Sequence, residues 1–146
     1  MCGRFAILVD YEYAKQQYLA NRVYSFSVNY NVSPGQEVPV VRKEEGEVSV
    51  VPMRWGFIPH WAKDPSIGSR MINARAETVA SKPSFRNAFK KRRCLIPAGG
   101  FYEWKGEKGH KQPYYITIPS GEPFISNSLR WLLPSAFITH TAQAPP

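Results

Sequence analysis

A strand-rich α+β fold, most economically a curled, barrel-like antiparallel sheet with a few short helices, is what this sequence predicts. Three observations predict it. Short alternating or β-branched runs recur along the chain, punctuated by Gly, Pro, Asn and Asp. Only two stretches read as helix, and both are short. The 146 residues, 43% hydrophobic and 21% charged, suit one packed domain that buries about 70% of its unfolded surface, and not a disordered, collagenous or coiled-coil chain.

Residues Gly3 to Val9 read as a strand. Asp10 then caps a helix whose apolar positions Tyr11, Ala14 and Tyr18 repeat at helical spacing and which ends near Asn21. A hairpin follows, built from Val38 to Arg42, the acidic turn Glu44 to Glu47 containing Gly46, and the alternating run Val48 to Met53. From Gly56 to Ser69, Pro59, Pro65, Gly56 and Gly68 predict an irregular excursion bearing Phe57 and Trp61, just after Trp55. Function tends to sit on such loops. A second helix opens at Pro83 to Ser84 and runs to about Lys91. Strands at Cys94 to Pro97 and Phe101 to Lys105 come next, with Gly99 and Gly100 marking a bulge between them. The turn Gly106 to Gly109 leads into a strand from Pro113 to Ile118, and Pro123 to Ser128 and Ala136 to Thr141 are also extended. Repeats and linkers are absent, so residues 1–146 form a single domain.

Lysine and arginine total 19 against 11 acidic residues, a net charge of +8. Such a surface favours a polyanionic partner, with nucleic acid the first candidate, although many small enzymes are equally cationic and simply soluble. Apolar runs fall short of the roughly 18 residues that a membrane span needs, and the N-terminus lacks a signal peptide's basic flank. A soluble, cytoplasmic protein is expected, with no membrane partner. Cys2 and Cys94 could form at most one bridge and are expected as free thiols. His60, His110 and His140 are far apart and no CxxC is present, so no metal or other cofactor is expected. Walker, GxGxxG and GxSxG patterns are missing, which removes support for nucleotide hydrolysis, dinucleotide redox chemistry and the hydrolase elbow.

Cys2 is the most informative residue. Removal of Met1 would leave one residue bearing a free α-amine and a thiol. An α-amine with pKa about 7.7 to 8.0 is roughly a tenth to a fifth neutral at pH 7, far more than a lysine, so it is the better nucleophile toward an aldehyde. After a Schiff base forms, the neighbouring thiolate can close a five-membered thiazolidine. The bland alternative is a cysteine that merely happens to be second. Asn73 and Arg75 share one face of an extended segment; Asn73 can hold a carbonyl or hydroxyl and Arg75 can fork onto phosphate. Equally, this is a strand ending in a polar turn. Glu103 sits in the aromatic run Phe101 to Trp104, where partial burial would raise its pKa and suit it to proton transfer, or else it is an outward residue of an ordinary strand. Lys82, Arg86, Lys90, Lys91, Arg92 and Arg93 form a basic cluster without an acid among them. It could track a phosphate backbone while Trp55, Trp61 or Phe57 stacks on bases, or it could be a solvated helix face beside core aromatics.

Taken together, MCGRF at the N-terminus, YNVSP at Tyr30 to Pro34, MRWGFIPHWAKD at Met53 to Asp64, MINARAET at Met71 to Thr78, CLIPAGGFYEWK at Cys94 to Lys105 and the following QPYYI resemble the SOS response-associated peptidase (SRAP) family. The resemblance runs from residue 1 to about 118. It implies a strand-rich α+β core with a positively charged groove, and a protein that shields abasic sites in single-stranded DNA by joining its N-terminal cysteine to the open sugar aldehyde. The peptidase label reflects proposed removal of the protein's own first methionine. By motif correspondence, Asn73 resembles the residue that positions the abasic sugar. Glu103 resembles the carboxylate of proton transfer and adduct reversal, a lyase-like step. Arg4, Arg75 and Arg86 resemble phosphate-binding arginines, and Pro34 and Trp61 residues near displaced bases.

The C-terminal part departs from the family pattern. Members usually continue further and carry a histidine in a His-Asp-Arg type motif that assists Schiff-base chemistry and reversal; no such motif occurs here, and His140 is not given that role. The segment Phe124 to Trp131 also diverges. The resemblance therefore implies one SRAP-like domain lacking the usual C-terminal portion, with an open sheet edge that could support oligomerisation, and slow ring opening and release. Two other functions compete: a noncovalent single-stranded DNA-binding module, and a cysteine peptidase acting on other proteins, for which no Cys-His pair with an orienting third group is visible.

Overall fold

Asp10 divides the N-terminal segment. The computed structural model, which describes residues 3–107, 109–130 and 134–139, has β1 (Arg4–Ile7) before it and α1 (Tyr11–Gln17) after it. The Asp10 carboxylate accepts from the Tyr13 backbone N–H at 2.8 Å, so the expected cap is formed. The helix stops at Gln17, short of Asn21, because Leu19 takes a left-handed φ of 47°. Two short strands without a periodic signature follow, β2 (Arg22–Val23) and β3 (Asn29–Val32). The hairpin of β4 (Glu37–Glu44) and β5 (Glu47–Trp55) extends beyond the alternating residues at both ends. Its turn residues Glu45 and Gly46 have φ of 51° and 87°, the left-handed pair whose twist matches that of the strands.

Beyond Gly56 the chain is irregular apart from a 3-10 helix over Pro65–Arg70, capped by Asp64. The rest comprises β6 (Asn73–Arg75), α2 (Arg86–Lys91), β7 (Arg93–Ala98), β8 (Gly100–Lys105), β9 (Gln112–Ile116), β10 (Phe124–Arg130) and β11 (Pro134–Thr139). The strands form two sheets. The smaller, in the order β3-β1-β8-β9, is antiparallel throughout. The larger runs β2-β5-β4-β7-β10-β11-β6, and β11 also pairs in parallel with β5 at Arg54 and Trp55, so this sheet curls back toward itself. The barrel-like character expected from sequence is the curl of the larger sheet, with the smaller sheet a separate layer.

The chain passes from one sheet to the other at Gly99, the single residue between β7 and β8, so the predicted bulge is a crossing. A Cβ at Gly99 would lie 2.3 Å from Leu8, and one at Gly100 would lie 2.3 Å from the Tyr115 ring. Close packing, not backbone conformation, requires both glycines.

Strand alternation distributes the core. Val38 and Val40 of β4, Met53 and Trp55 of β5, and Cys94, Ile96 and Ala98 of β7 face Phe5, Ile7 and Val32 of the small sheet. The intervening Val41 and Val50 pack with Ala14 and Ala20 on the α1 side. A third cluster, Phe57, Ala74, Val79, Phe85 and Ala88, anchors β6 and α2. Cys94 is buried in the core, and no helix among the described residues is long and apolar enough to cross a membrane.

Candidate functional site

Cys2 lies outside the described residues, as does His140. The strand that follows Cys2 is well placed: β1 runs between β3 and β8, with Arg4 opposite Tyr102 and Phe5 opposite Phe101. Glu103 is therefore one residue past the partner of Arg4, level with the entry to β1. It is half-buried. Alternation sets it on the face of Phe101 and Phe5, toward the core, whereas Arg4 and Tyr102 occupy the outer face. The Arg4 Nη1 donates to Asn31 Oδ1 at 3.0 Å, and the Tyr102 hydroxyl donates to the Tyr30 carbonyl at 2.8 Å. Two side chains thus fasten β1 and β8 to β3.

Asn73 begins β6, which lies parallel to β11 with Asn73 opposite Phe137. Its side-chain oxygen is buried, Ala74 is fully buried and Arg75 is exposed. The shared face predicted for Asn73 and Arg75 follows from this short strand. Arg75 also ends it, because its carbonyl accepts from Thr78 N at 3.2 Å and Val79 N at 2.9 Å, turning the chain away.

Trp55 links these regions. Its ring meets Phe5 edge-on at 5.3 Å between centroids, and its Nε1 donates to the Ile72 carbonyl at 2.9 Å. Phe5 adjoins Arg4 and Ile72 adjoins Asn73, so one fully buried indole ties the strand after Cys2 to the strand bearing Asn73. The Phe57 N–H adds a second tie, to the Met71 carbonyl at 2.9 Å. Trp55 and Phe57 are consequently core residues and offer no surface for bases, which corrects one of the two sequence alternatives. Trp61 remains 52% exposed on the irregular loop.

Pro34 lines a groove of about 420 Å³ with Arg54, Trp55, Gly56, Ile58, Ser66 and Gly68 among its walls. The groove keeps its shape because Gly56 passes Gly68 closely: φ is +139°, and a Cβ would fall 2.7 Å from the Gly68 carbonyl oxygen. Asp64 secures the same loop. Its carboxylate accepts from the Ser66 hydroxyl and from the Ser66 N–H, and these bonds hold its pKa below the usual carboxylate value.

Arg86 is exposed at the start of α2, but the basic run divides along the helix. Lys91 and Arg92 line a separate groove with Arg22, Arg42 and Lys43, where Glu44, Glu45 and Glu47 counter them. The structure thus sets Glu103 level with the entry to β1, ties the backbone beside Asn73 to β1 through Trp55, sets Pro34 with Arg54 in one groove, and places Lys91 and Arg92 in another. Sequence reasoning missed Asn31, the partner of Arg4, and Arg54, in the Pro34 groove. Both stand inside quoted motifs, and Arg54 is the polar residue between buried Met53 and Trp55. No group of three or more His, Cys, Asp or Glu suited to a metal occurs among the described residues.

Residues 1–136 match the model of a family described as SOS response associated peptidase (SRAP). The chain is 38% identical over 140 residues to abasic site processing protein YoqW of Bacillus subtilis (strain 168), covering 92% of this chain and 62% of that protein. To abasic site processing protein YedK of Escherichia coli (strain K12) it is 32% identical over 135 residues, 86% of this chain and 57% of the relative. It thus spans about three fifths of the length of these relatives. A crystal structure of a protein from Bacteroides thetaiotaomicron superposes with a TM-score of 0.77 at 25% identity, covering 95% of this chain and 67% of that one. The sequence match takes in the six motifs and continues past residue 118, to residue 136. On this evidence the chain belongs to the SRAP family.

Proposed function

We propose that this chain is a cytoplasmic abasic-site processing protein that binds single-stranded DNA and captures the damaged sugar covalently through Cys2 after Met1 is removed, autocatalytically, shielding the lesion during the DNA damage response. The observation that carries this reading is the shared frame: Glu103 level with the entry to β1, and Asn73 tied to β1 through Trp55. The name borne by YoqW and YedK supports it.

In the reaction, the Cys2 amine adds to C1′ of the ring-opened sugar and water leaves, giving an imine. The thiolate then adds to the imine carbon and the nitrogen takes a proton, closing the thiazolidine. Glu103 serves the proton transfers and the reverse, lyase-like step. Asn73 holds the sugar. Arg4, Arg75 and Arg86 bind phosphates, and Pro34 and Trp61 meet bases displaced beside the lesion. Self-association through an open edge belongs to the same proposal, with β9 as the candidate edge, since all five of its residues are exposed.

The test mixes Met1-processed protein with a single-stranded oligonucleotide containing one abasic site and follows a denaturation-resistant band. Cys2→Ala abolishes that band. Cys2→Ser keeps the amine but cannot close the sulfur ring, leaving at most a reducible imine. Persistence of the band in both variants would overturn the assignment of the nucleophile.

A further inference from the structure

The outer face of the small sheet carries aromatic side chains that neither the core nor the capture chemistry uses. Between the pairs Phe5–Val32 and Ile7–Asn29 the register shifts, so Tyr30 and Asn31 together stand opposite Ala6. This bulge takes the Tyr30 carbonyl out of the ladder, where the Tyr102 hydroxyl satisfies it, and leaves the Tyr30 ring 68% exposed at the sheet edge. Beside it, Asn31 holds the Arg4 guanidinium at 3.0 Å. The rings of Tyr102 and Tyr115 lie 5.0 Å apart at 48°. Alternation along β8 sets Trp104, 42% exposed, on the same face. Glu103 is the one acid in the four strands, and it belongs to the opposite face.

We propose that this face is a stacking track for unpaired bases, on which Tyr30 and Tyr115 supply ring surfaces and Arg4, oriented by Asn31, supplies the phosphate contact. The inference rests on the reading of the chain as a single-stranded DNA binder and extends it beyond the lesion. Every base presents a π-face, so rings on a sheet hold single strands without regard to sequence, provided a cation tracks the backbone. Charge favours this occupant, because a molecule at +8 attracts a polyanion. Continuity does so too, because Arg4 is two residues from Cys2 in sequence, and nucleotides next to a captured sugar would meet Arg4 first.

The experiment measures binding of a labelled oligothymidylate without an abasic site, by fluorescence anisotropy over a range of salt. Tyr30→Leu keeps apolar bulk at an exposed position and removes the ring. Its affinity is expected to fall roughly 5- to 100-fold, with an unchanged slope of log affinity against log salt. Tyr30→Phe keeps the ring and binds like wild type. Arg4→Gln instead reduces the slope by about 0.7, the signature of one lost phosphate contact on a single strand. A Tyr30→Leu/Tyr115→Leu double variant that folds and binds with wild-type affinity would overturn the track. So would variants that shift sedimentation of the protein without altering DNA affinity, since the face would then serve a second copy. Adduct formation by wild type, followed in parallel, separates the two ideas. Normal adducts with unaffected variants remove only the track, while absence of both binding and adduct in wild type removes the underlying reading and the track together.

Discussion

The indole of Trp55 makes a hydrogen bond that a phenylalanine cannot, and Asn73 stands one residue beyond the acceptor, Ile72. Trp55→Phe therefore removes a donor from a packed site and leaves the Ile72 carbonyl to be satisfied elsewhere, a loss of about 1–3 kcal/mol in stability. Because the bond fixes backbone beside Asn73, the same variant is expected to slow adduct formation while leaving affinity for undamaged single strands unchanged. Single-turnover adduct kinetics and anisotropy check the two halves separately, and a parallel loss of both would mean that Trp55 acts only through global stability. Gly100 is constrained differently. Its substitution by alanine drives a methyl group into the Tyr115 ring, so Gly100→Ala is expected to cost about 1–3 kcal/mol by overpacking, and a truncated ring in Gly100→Ala/Tyr115→Ala should recover part of that in chemical denaturation. Tyr115 is confined enough that burial, and then its neighbour Tyr102, push its hydroxyl pKa upward.

Among the elements, the β4–β5 hairpin spends a non-glycine residue at a left-handed position, Glu45 with φ 51°. Asparagine suits that position better, so Glu45→Asn is expected to stabilise the chain by about 0.5 kcal/mol, which raises the melting temperature by about one to three degrees. The Asp64 cap gives a pH test. Hydrogen bonds from Ser66 lower its folded pKa, so its contribution is present above the unfolded value of about 3.9 and disappears as pH falls through the folded value. Asp64→Asn should loosen the 3-10 helix near neutral pH and make no difference in strong acid, as read from the Ser66 amide signal. These elements also mark how far sequence carries. The α1 cap, the hairpin and the strands after α2 were legible because capping residues, alternation and turn residues act locally, whereas α2, read from Pro83 to Ser84 onward, begins only at Arg86 and has no side-chain cap. β2 and β3 were not legible: two and four residues long, they are too short for periodicity and exist only because longer strands lie beside them, whereas β6, three residues long, was legible as an extended segment but not in its place beside β11. For the same reason the sequence showed one curled sheet where there are two, since the crossing at Gly99 depends on Leu8 and Tyr115 from distant segments. At the site, residue types and motifs pointed to Asn73, Arg75 and Glu103, but the tie through Trp55 is a tertiary contact and had no local signal.

At the scale of the whole molecule, the +8 charge matters less than where it is countered. Arg42 is paired with Glu44 at 3.2 Å, and the groove containing Lys91 and Arg92 also holds Glu45 and Glu47, so that end of the molecule presents a mixed field. Arg4 on β1, Arg75 on β6 and Arg86 at the start of α2 are not among the residues that line that groove. If these three supply the phosphate contacts, log affinity for a single strand falls with log salt at a slope of about −2, and a fourfold rise in salt weakens binding roughly 20-fold. Replacing Lys91 by glutamine should leave that slope unchanged, whereas replacing Arg86 should reduce it by about 0.7. A slope steeper than −4, or one sensitive to Lys91, would mean that the hairpin end also meets the backbone. Covalent capture adds a second observable from the same charges. Salt added before the abasic oligonucleotide lowers adduct yield, because encounter depends on the arginines, but salt added after ring closure leaves the yield unchanged, because a thiazolidine is held by bonds that ions do not screen. The order of addition thus distinguishes a groove that delivers DNA to a nucleophile from a cationic surface that merely retains it.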